Sequence, residues 1–176
     1  MSTETTSNTA AMPGKYLTFR LGQEYYSLPV LKVREIMRLC PITAVPRMPA
    51  HLRGVINLRG KIVAVVDLRS RFQLPPQEDA DRACIIVVQL AGGSKNVMGV
   101  IVDAVEDVSP FSADDIEPTP DFGPMLDTQF ILGMAKSKGT VKAILDIDQV
   151  LLAEGELSLP LLERAATSEA PAAQNH

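Results

Sequence analysis

Residues 51–69 and 130–150 carry one frame twice. Gly54, Gly60 and Asp67 in the first stretch fall against Gly133, Gly139 and Asp146 in the second, at a constant displacement of 79 residues. A duplication held at fixed spacing constrains the fold before any single residue is interpreted, because both copies must build the same unit. In the first copy, Leu52 to Leu58 is apolar but broken by Arg53, Gly54 and Asn57. Arg59-Gly60-Lys61 reads as a turn, since glycine takes positive φ without a steric cost. Ile62 to Leu68 is short and rich in Val and Ile, which predicts a buried strand rather than a helix.

The rest of the chain is read around that frame. Met1 to Gly14 is Ser/Thr-rich and predicts a disordered arm. Tyr16 to Leu21 alternates with the period of a half-buried strand, Gly22-Gln23-Glu24 turns it, and Tyr25 to Leu28 completes a hairpin that Pro29 ends. Val30, Val33, Ile36 and Met37 fall at the spacing of one helical stripe, so Val30 to Leu39 is expected to be a short helix stopped by Pro41. Val102, Val105 and Val108 repeat this spacing 72 residues later. Ile42 to Val45 predicts a short strand, and Pro49 a helical turn leading into His51. The shift in displacement from 72 to 79 leaves seven extra residues in the second half, expected in the Pro-rich loop Glu117 to Pro124.

Residues 75–82, with Pro75-Pro76 and an acidic cluster, predict a linker. The first half is then 15–74 and the second 83–156, opening with strands at Ala83 to Leu90 and Asn96 to Val102. Residues 157–166 predict a C-terminal helix with Pro160 in its first turn, and 167–176 a disordered tail. Each half amounts to about five short strands with a short helix inserted. Such a unit hides its edges and its apolar face by closing into a small barrel, and two halves would pack about a pseudo-twofold axis. Whether the halves exchange a strand is not decided by the sequence.

Composition narrows the function. The net charge is −4, the pI is near 5.2, and aromatic residues make up 5%. A barrel that binds nucleic acid wants a basic, aromatic face, so that reading is disfavoured. Arg53, Arg59, Lys61, Arg69 and Arg71 are expected on a solvated sheet face. Cys40 and Cys84 are the only cysteines and lie outside any zinc-ligand spacing. They read as two reduced thiols, with a disulfide between them left open. No apolar run approaches the ~18 residues that span a bilayer, so a soluble protein is expected. Asp67, Asp103 and Asp146 fall near strand ends without a His or nucleophile beside them. They are expected to cap turns rather than to serve acid–base chemistry, and a small hydrolase reading would need an unseen metal.

The run Val33-Arg-Glu-Ile36, then Val45-Pro46, then Gly54-Val-Ile-Asn-Leu-Arg-Gly60 with Val65-Val-Asp67-Leu-Arg69, and finally Gly99 to Val108, resembles the CheW family of bacterial chemotaxis coupling proteins. The resemblance covers about residues 15–155. It implies a mainly β fold of two SH3-like five-stranded barrels related by a pseudo-twofold axis. It implies no enzymatic activity, no cofactor and no metal. The implied role is a cytoplasmic scaffold joining the cytoplasmic tips of methyl-accepting chemoreceptors to the regulatory domain of the histidine kinase CheA, with further CheW copies in an array. Receptor binding is expected at Val33, Glu35, Ile36, Met37, Arg59, Val105 and Val108, where an apolar trough could take a helical hairpin. Kinase binding is expected at Val45, Leu58, Gly60 and Phe122. A small-barrel module of another receptor–kinase pathway is the alternative.

Overall fold

The computed structural model describes residues 11–49, 51–75, 81–91, 96–119 and 130–152. Its two copies of the repeated frame are two hairpins. Strand β4 (Leu52–Leu58) pairs with β5 (Lys61–Asp67), and β10 (Ile131–Ser137) pairs with β11 (Thr140–Leu145). Each is closed by a two-residue turn with both central residues at positive φ: Arg59 and Gly60 at 52° and 88°, Lys138 and Gly139 at 53° and 78°. This is the turn whose twist matches that of paired strands. The register shifts at Gly54 in one hairpin and at Gly133 in the other. Asp67 N–H donates to the His51 carbonyl and Asp146 N–H to the Phe130 carbonyl, both at 2.8 Å. A short helix follows each: α1 (Leu68–Arg71) and α2 (Ile147–Leu152). The Asp67 and Asp146 carboxylates accept from the N–H groups of Arg69 and Gln149 in those helices, so both aspartates cap as expected.

Gly54 is fixed by a second constraint. Its φ is 148°, and a Cβ there would sit 2.0 Å from the Thr43 carbonyl oxygen. That carbonyl accepts from Val55 N–H at 2.9 Å, the one bridge that the Ile42–Val45 segment makes in place of the expected strand. The helical turn expected from Pro49 reduces to the Leu52 N–H donating to its carbonyl at 3.0 Å. Gly54→Ala is expected to tear this bridge away and to cost more than about 2 kcal/mol, measured as a lower denaturant midpoint with an unchanged slope.

The remaining strands are β1 (Gly14–Leu21), β2 (Glu24–Pro29), β3 (Val33–Arg38), β6 (Cys84–Gln89), β7 (Val97–Val102), β8 (Ala104–Phe111) and the two-residue β9 (Ile116–Glu117). They form two sheets, in the orders β8-β1-β2-β11-β10-β9 and β3-β6-β7-β5-β4. Matching β1 to β6, β2 to β7, β3 to β8, β4 to β10 and β5 to β11 makes the two orders identical, apart from β9. Each sheet also holds one parallel pair in the same place, β2 with β11 and β5 with β7. The contiguous division expected from sequence, 15–74 against 83–156, is therefore not how the sheets are built. Each sheet takes the first two strands of one half and the closing strands of the other: β8 to β11 join β1 and β2, and β3 to β5 join β6 and β7.

The expected helix Val30–Leu39 is a 3-10 turn, Val30–Lys32, followed by strand β3, and its counterpart Val102–Val108 falls mostly in β8. The correction has a tertiary cause. β6, Cys-Ile-Ile-Val-Val-Gln, is almost wholly buried and takes β3 as its outer antiparallel partner, a demand that outweighs local preference. In the second half, β9 and the 3-10 turn Ala113–Asp115 have no counterpart in the first and take up part of the extra length. At the N-terminus the structured part begins before residue 14. Ala11 is buried beside Tyr16 and Phe111, and Tyr16 donates its hydroxyl to the Met12 carbonyl. The expected helix 157–166, the tail 167–176, most of the linker and Phe122 lie outside the described residues.

The core has three parts. The largest cluster draws on both sheets, with Leu17, Phe19, Leu28 and Leu145 from one and Val66, Ile86, Val88 and Val100 from the other. Each sheet also has a cluster of its own, around Tyr16, Phe111 and Ile144 in the first and around Val63, Ile85 and Val87 in the second. This mainly β architecture, with a private interior for each sheet and a shared layer between, is consistent with two SH3-like halves. Phe72 and Phe130, which flank the two frames, stack in the shared layer with centroids 6.0 Å apart.

Candidate interaction surfaces

The candidate residues gather on two edge strands and one hairpin tip. β3 ends one sheet and β8 ends the other. Both carry a β-bulge. Opposite β6, the register moves from Val33 against Val88 to Glu35 against Val87; opposite β1, it moves from Asp107 against Thr18 to Val105 against Phe19. Residues directly opposite share a face of the sheet. Val33 and Ile36 therefore lie on the face of Val88 and Ile86, which is the shared core. Val105 and Val108 lie on the face of Phe19 and Leu17, the same core. In each pair the first residue packs against that core and the second stays open: Ile36 is 42% exposed and Val108 is 53% exposed. Met37 is not part of this set. It stands opposite Ile85 and packs against the private cluster of its own sheet.

Glu35 shares the face of Met37, and there it meets Arg59. The Arg59 guanidinium donates from Nη1 and Nη2 to the two Glu35 carboxylate oxygens at 2.6 and 3.0 Å. Arg59 is held out on its turn, and the Asn57 carboxamide oxygen stiffens that turn by accepting Gly60 N–H at 2.8 Å. The Arg59 side chain is 74% exposed, so the pair adds less than about 1 kcal/mol to stability. Its effect is to orient a planar cation whose remaining N–H donors face outward. An open cleft of about 320 Å³ lies beside it, with Leu58, Val87 and Val97 among its apolar walls and Arg34 and Lys61 among its charged ones.

Leu58 and Gly60 thus belong to the same hairpin tip as Arg59. Val45, 38% exposed, lies just beyond the bridge from Thr43 to the edge strand β4. The candidate receptor and kinase residues meet at the hairpin tip, where Leu58 and Gly60 flank Arg59 and Arg59 reaches back to Glu35 on β3; Val33 and Ile36 lie on β3, Val105 and Val108 on β8 of the other sheet, and Val45 ahead of β4.

Several functional-looking charges turn out to be structural. Arg69 and Arg71 were expected on a solvated face, yet Arg71 is buried and donates from Nε to the Val150 carbonyl at 2.9 Å. Burial pushes its pKa down from the usual guanidinium value. Arg69 makes a two-pronged pair with the buried Asp103 carboxylate at 2.7 Å per bond, and that pairing raises its pKa. The signal for Arg71 is in the repeat itself, because the frame places it against an apolar residue, Val150. His51 is half-buried; burial and the nearby Arg71 charge lower its pKa. Cys40 and Cys84 are free thiols. Among the described residues no cluster of His, Cys, Asp or Glu could hold a metal ion, and no helix is long and apolar enough to cross a membrane.

Comparison with known proteins agrees with this architecture. The family model for the CheW-like domain matches residues 15–154. A chemotaxis protein CheW of Rhizobium meliloti is 35% identical over 138 residues, covering 78% of this chain and 87% of that one. The corresponding protein of Klebsiella aerogenes is 32% identical over 154 residues, covering 88% and 89%. The crystal structure of the scaffolding protein TtCheW from Thermoanaerobacter tengcongensis superposes with a TM-score of 0.72 at 35% identity, over 84% of this chain and 99% of that one. With the matched region spanning both sheets and every candidate residue, the chain belongs to the CheW family.

Proposed function

We propose that this protein is a non-enzymatic scaffold that couples the cytoplasmic tips of methyl-accepting chemoreceptors to the regulatory domain of the histidine kinase CheA. In this reading it works in the cytoplasm and reaches the membrane only through its partners. The observation that carries the proposal is the pair of edge strands. Each presents one open aliphatic residue, Ile36 or Val108, beside one packed against the shared core, Val33 or Val105. A helical hairpin tip has the complementary apolar stripe, and helix-in-groove recognition uses anchors of this kind. Arg59, oriented by Glu35, supplies a directional polar contact at the rim. The kinase side uses Leu58 and Gly60 on the hairpin tip and Val45 ahead of β4, with Phe122 as a further anchor. Two surfaces that adjoin at the hairpin tip let one small protein hold both partners, and repetition in an array with other copies turns modest affinities into strong assembly.

Arg59→Ala tests the receptor side. It removes a mostly exposed side chain, so the melting temperature should stay within about 2 °C of wild type, in line with other surface changes. Capture of a purified receptor cytoplasmic fragment should fall by about tenfold, the loss of one charge-assisted contact. Unchanged capture would remove Arg59 from the site.

A further inference from the structure

The two candidate binding strands are each anchored by the residue just ahead of their first, and by related devices. Asp103 immediately precedes β8. Its carboxylate pairs with Arg69 of α1 and accepts Gly22 N–H, from the turn between β1 and β2, at 2.7 Å. Lys32 immediately precedes β3. Its ammonium pairs at 2.9 Å with Asp148 in the first turn of α2, and the other Asp148 oxygen accepts Ala91 N–H, in the turn that follows β6, at 2.8 Å. Strand start, hairpin turn and following helix are thus tied by one carboxylate in both places. The two clasps are related rather than identical: Asp148 stands at the repeat position of Arg69, Lys32 lies one residue along from the counterpart of Asp103, and the acid leads the strand in one clasp and sits on the helix in the other. The Lys32 clasp joins the two sheets: α2 follows β11 of the first sheet, whereas β3 belongs to the second and Ala91 follows its strand β6.

The clasps differ in strength. Around Asp103 the side chains are 16% and 4% exposed and the cation is a forked guanidinium. Around Asp148 they are 29% and 25% exposed and the cation is a single ammonium donor. A partly exposed, single-point pair is more easily screened by salt and by water. We propose that Lys32 and Asp148 are positioning residues for the receptor site: they set where β3, with Val33 and Ile36, stands relative to β8, and the β3 side is the adjustable wall. The inference rests on the receptor reading above and adds to it a pair that need touch no receptor atom.

The test compares wild type, Lys32→Met, Asp148→Asn, the double variant and Lys32→Arg. Two readouts are taken: affinity for a receptor cytoplasmic fragment, and amide hydrogen exchange in β3. Asparagine at 148 keeps an acceptor for Ala91 N–H while removing the charge. Each single variant should weaken binding about fivefold, within the range for residues that act through a neighbour, and should speed exchange in β3 but not in β8. The double variant should be no weaker than either single one, and Lys32→Arg should stay near wild type. Wild-type-like binding by Lys32→Met would overturn the inference. So would additive losses in the double variant, which would mean direct and independent contacts. If wild type itself binds no receptor fragment, the receptor reading falls first and takes this inference with it; normal wild-type binding separates the two failures.

Discussion

Ile36→Asp combined with Val108→Asp is expected to abolish receptor capture, with a loss of at least about 100-fold. The side chains are about half exposed in the free protein, so each has about 1 kcal/mol of apolar burial still to gain on docking. A carboxylate in their place forfeits that gain and must also be desolvated against an apolar stripe. Together the two changes exceed about 3 kcal/mol, which corresponds to that factor. The fold should survive, because the residues opposite them, Ile86 and Leu17, are fully buried and remain unchanged. Titration calorimetry with a receptor fragment, beside a thermal melt, measures both quantities. A variant that melts normally and still binds would place the receptor on another face.

The largest effect on stability is expected from Asp103→Ala. Asp103 is 3% exposed. Its loss strands the largely buried Arg69 guanidinium and the Gly22 N–H together, and breaking a buried charged pair from one side costs about 3–5 kcal/mol. For a chain of this size that corresponds to a drop of roughly 10 °C in melting temperature. Replacing both partners with apolar residues, Asp103→Leu with Arg69→Met, should recover much of the loss, because no charge is then left buried alone. A small effect of Asp103→Ala would mean that water reaches Arg69 and that the clasp holds little.

The sequence made the repeated hairpins legible because their constraints are local. A two-residue turn needs positive φ at Gly60 and Gly139, and a capping carboxylate must sit at Asp67 and Asp146 to open the following helix. The β3 error has a definite physical origin. A β-bulge inserts one residue into the alternation, so Val33 and Ile36 come to share a face at a spacing of three, as Val105 and Val108 do. That spacing imitates a helical stripe, and no single-strand pattern separates the two. The bulge also explains why Val33 and Ile36, and Val105 and Val108, share the face of the common core although the secondary structure is strand and not helix, whereas Met37, next in the imagined stripe, falls on the opposite face. The exchange of strands between halves was not legible because pairing partners far apart in sequence leave no mark on local periodicity. Arg69, Arg71, Lys32 and Asp148 look like surface charges for the same reason: their partners lie 34, 79 and 116 residues away.

The central claim is that one molecule holds both partners at once. Its most direct test is a capture experiment with an immobilised receptor cytoplasmic fragment and the purified kinase regulatory domain, run with and without this protein. The kinase domain should be retained only when the protein is present, and Ile36→Asp with Val108→Asp should abolish retention while leaving binding to the kinase domain in solution intact. Binding of the two partners that is mutually exclusive, so that added kinase domain releases the protein from the receptor, would contradict the coupling account.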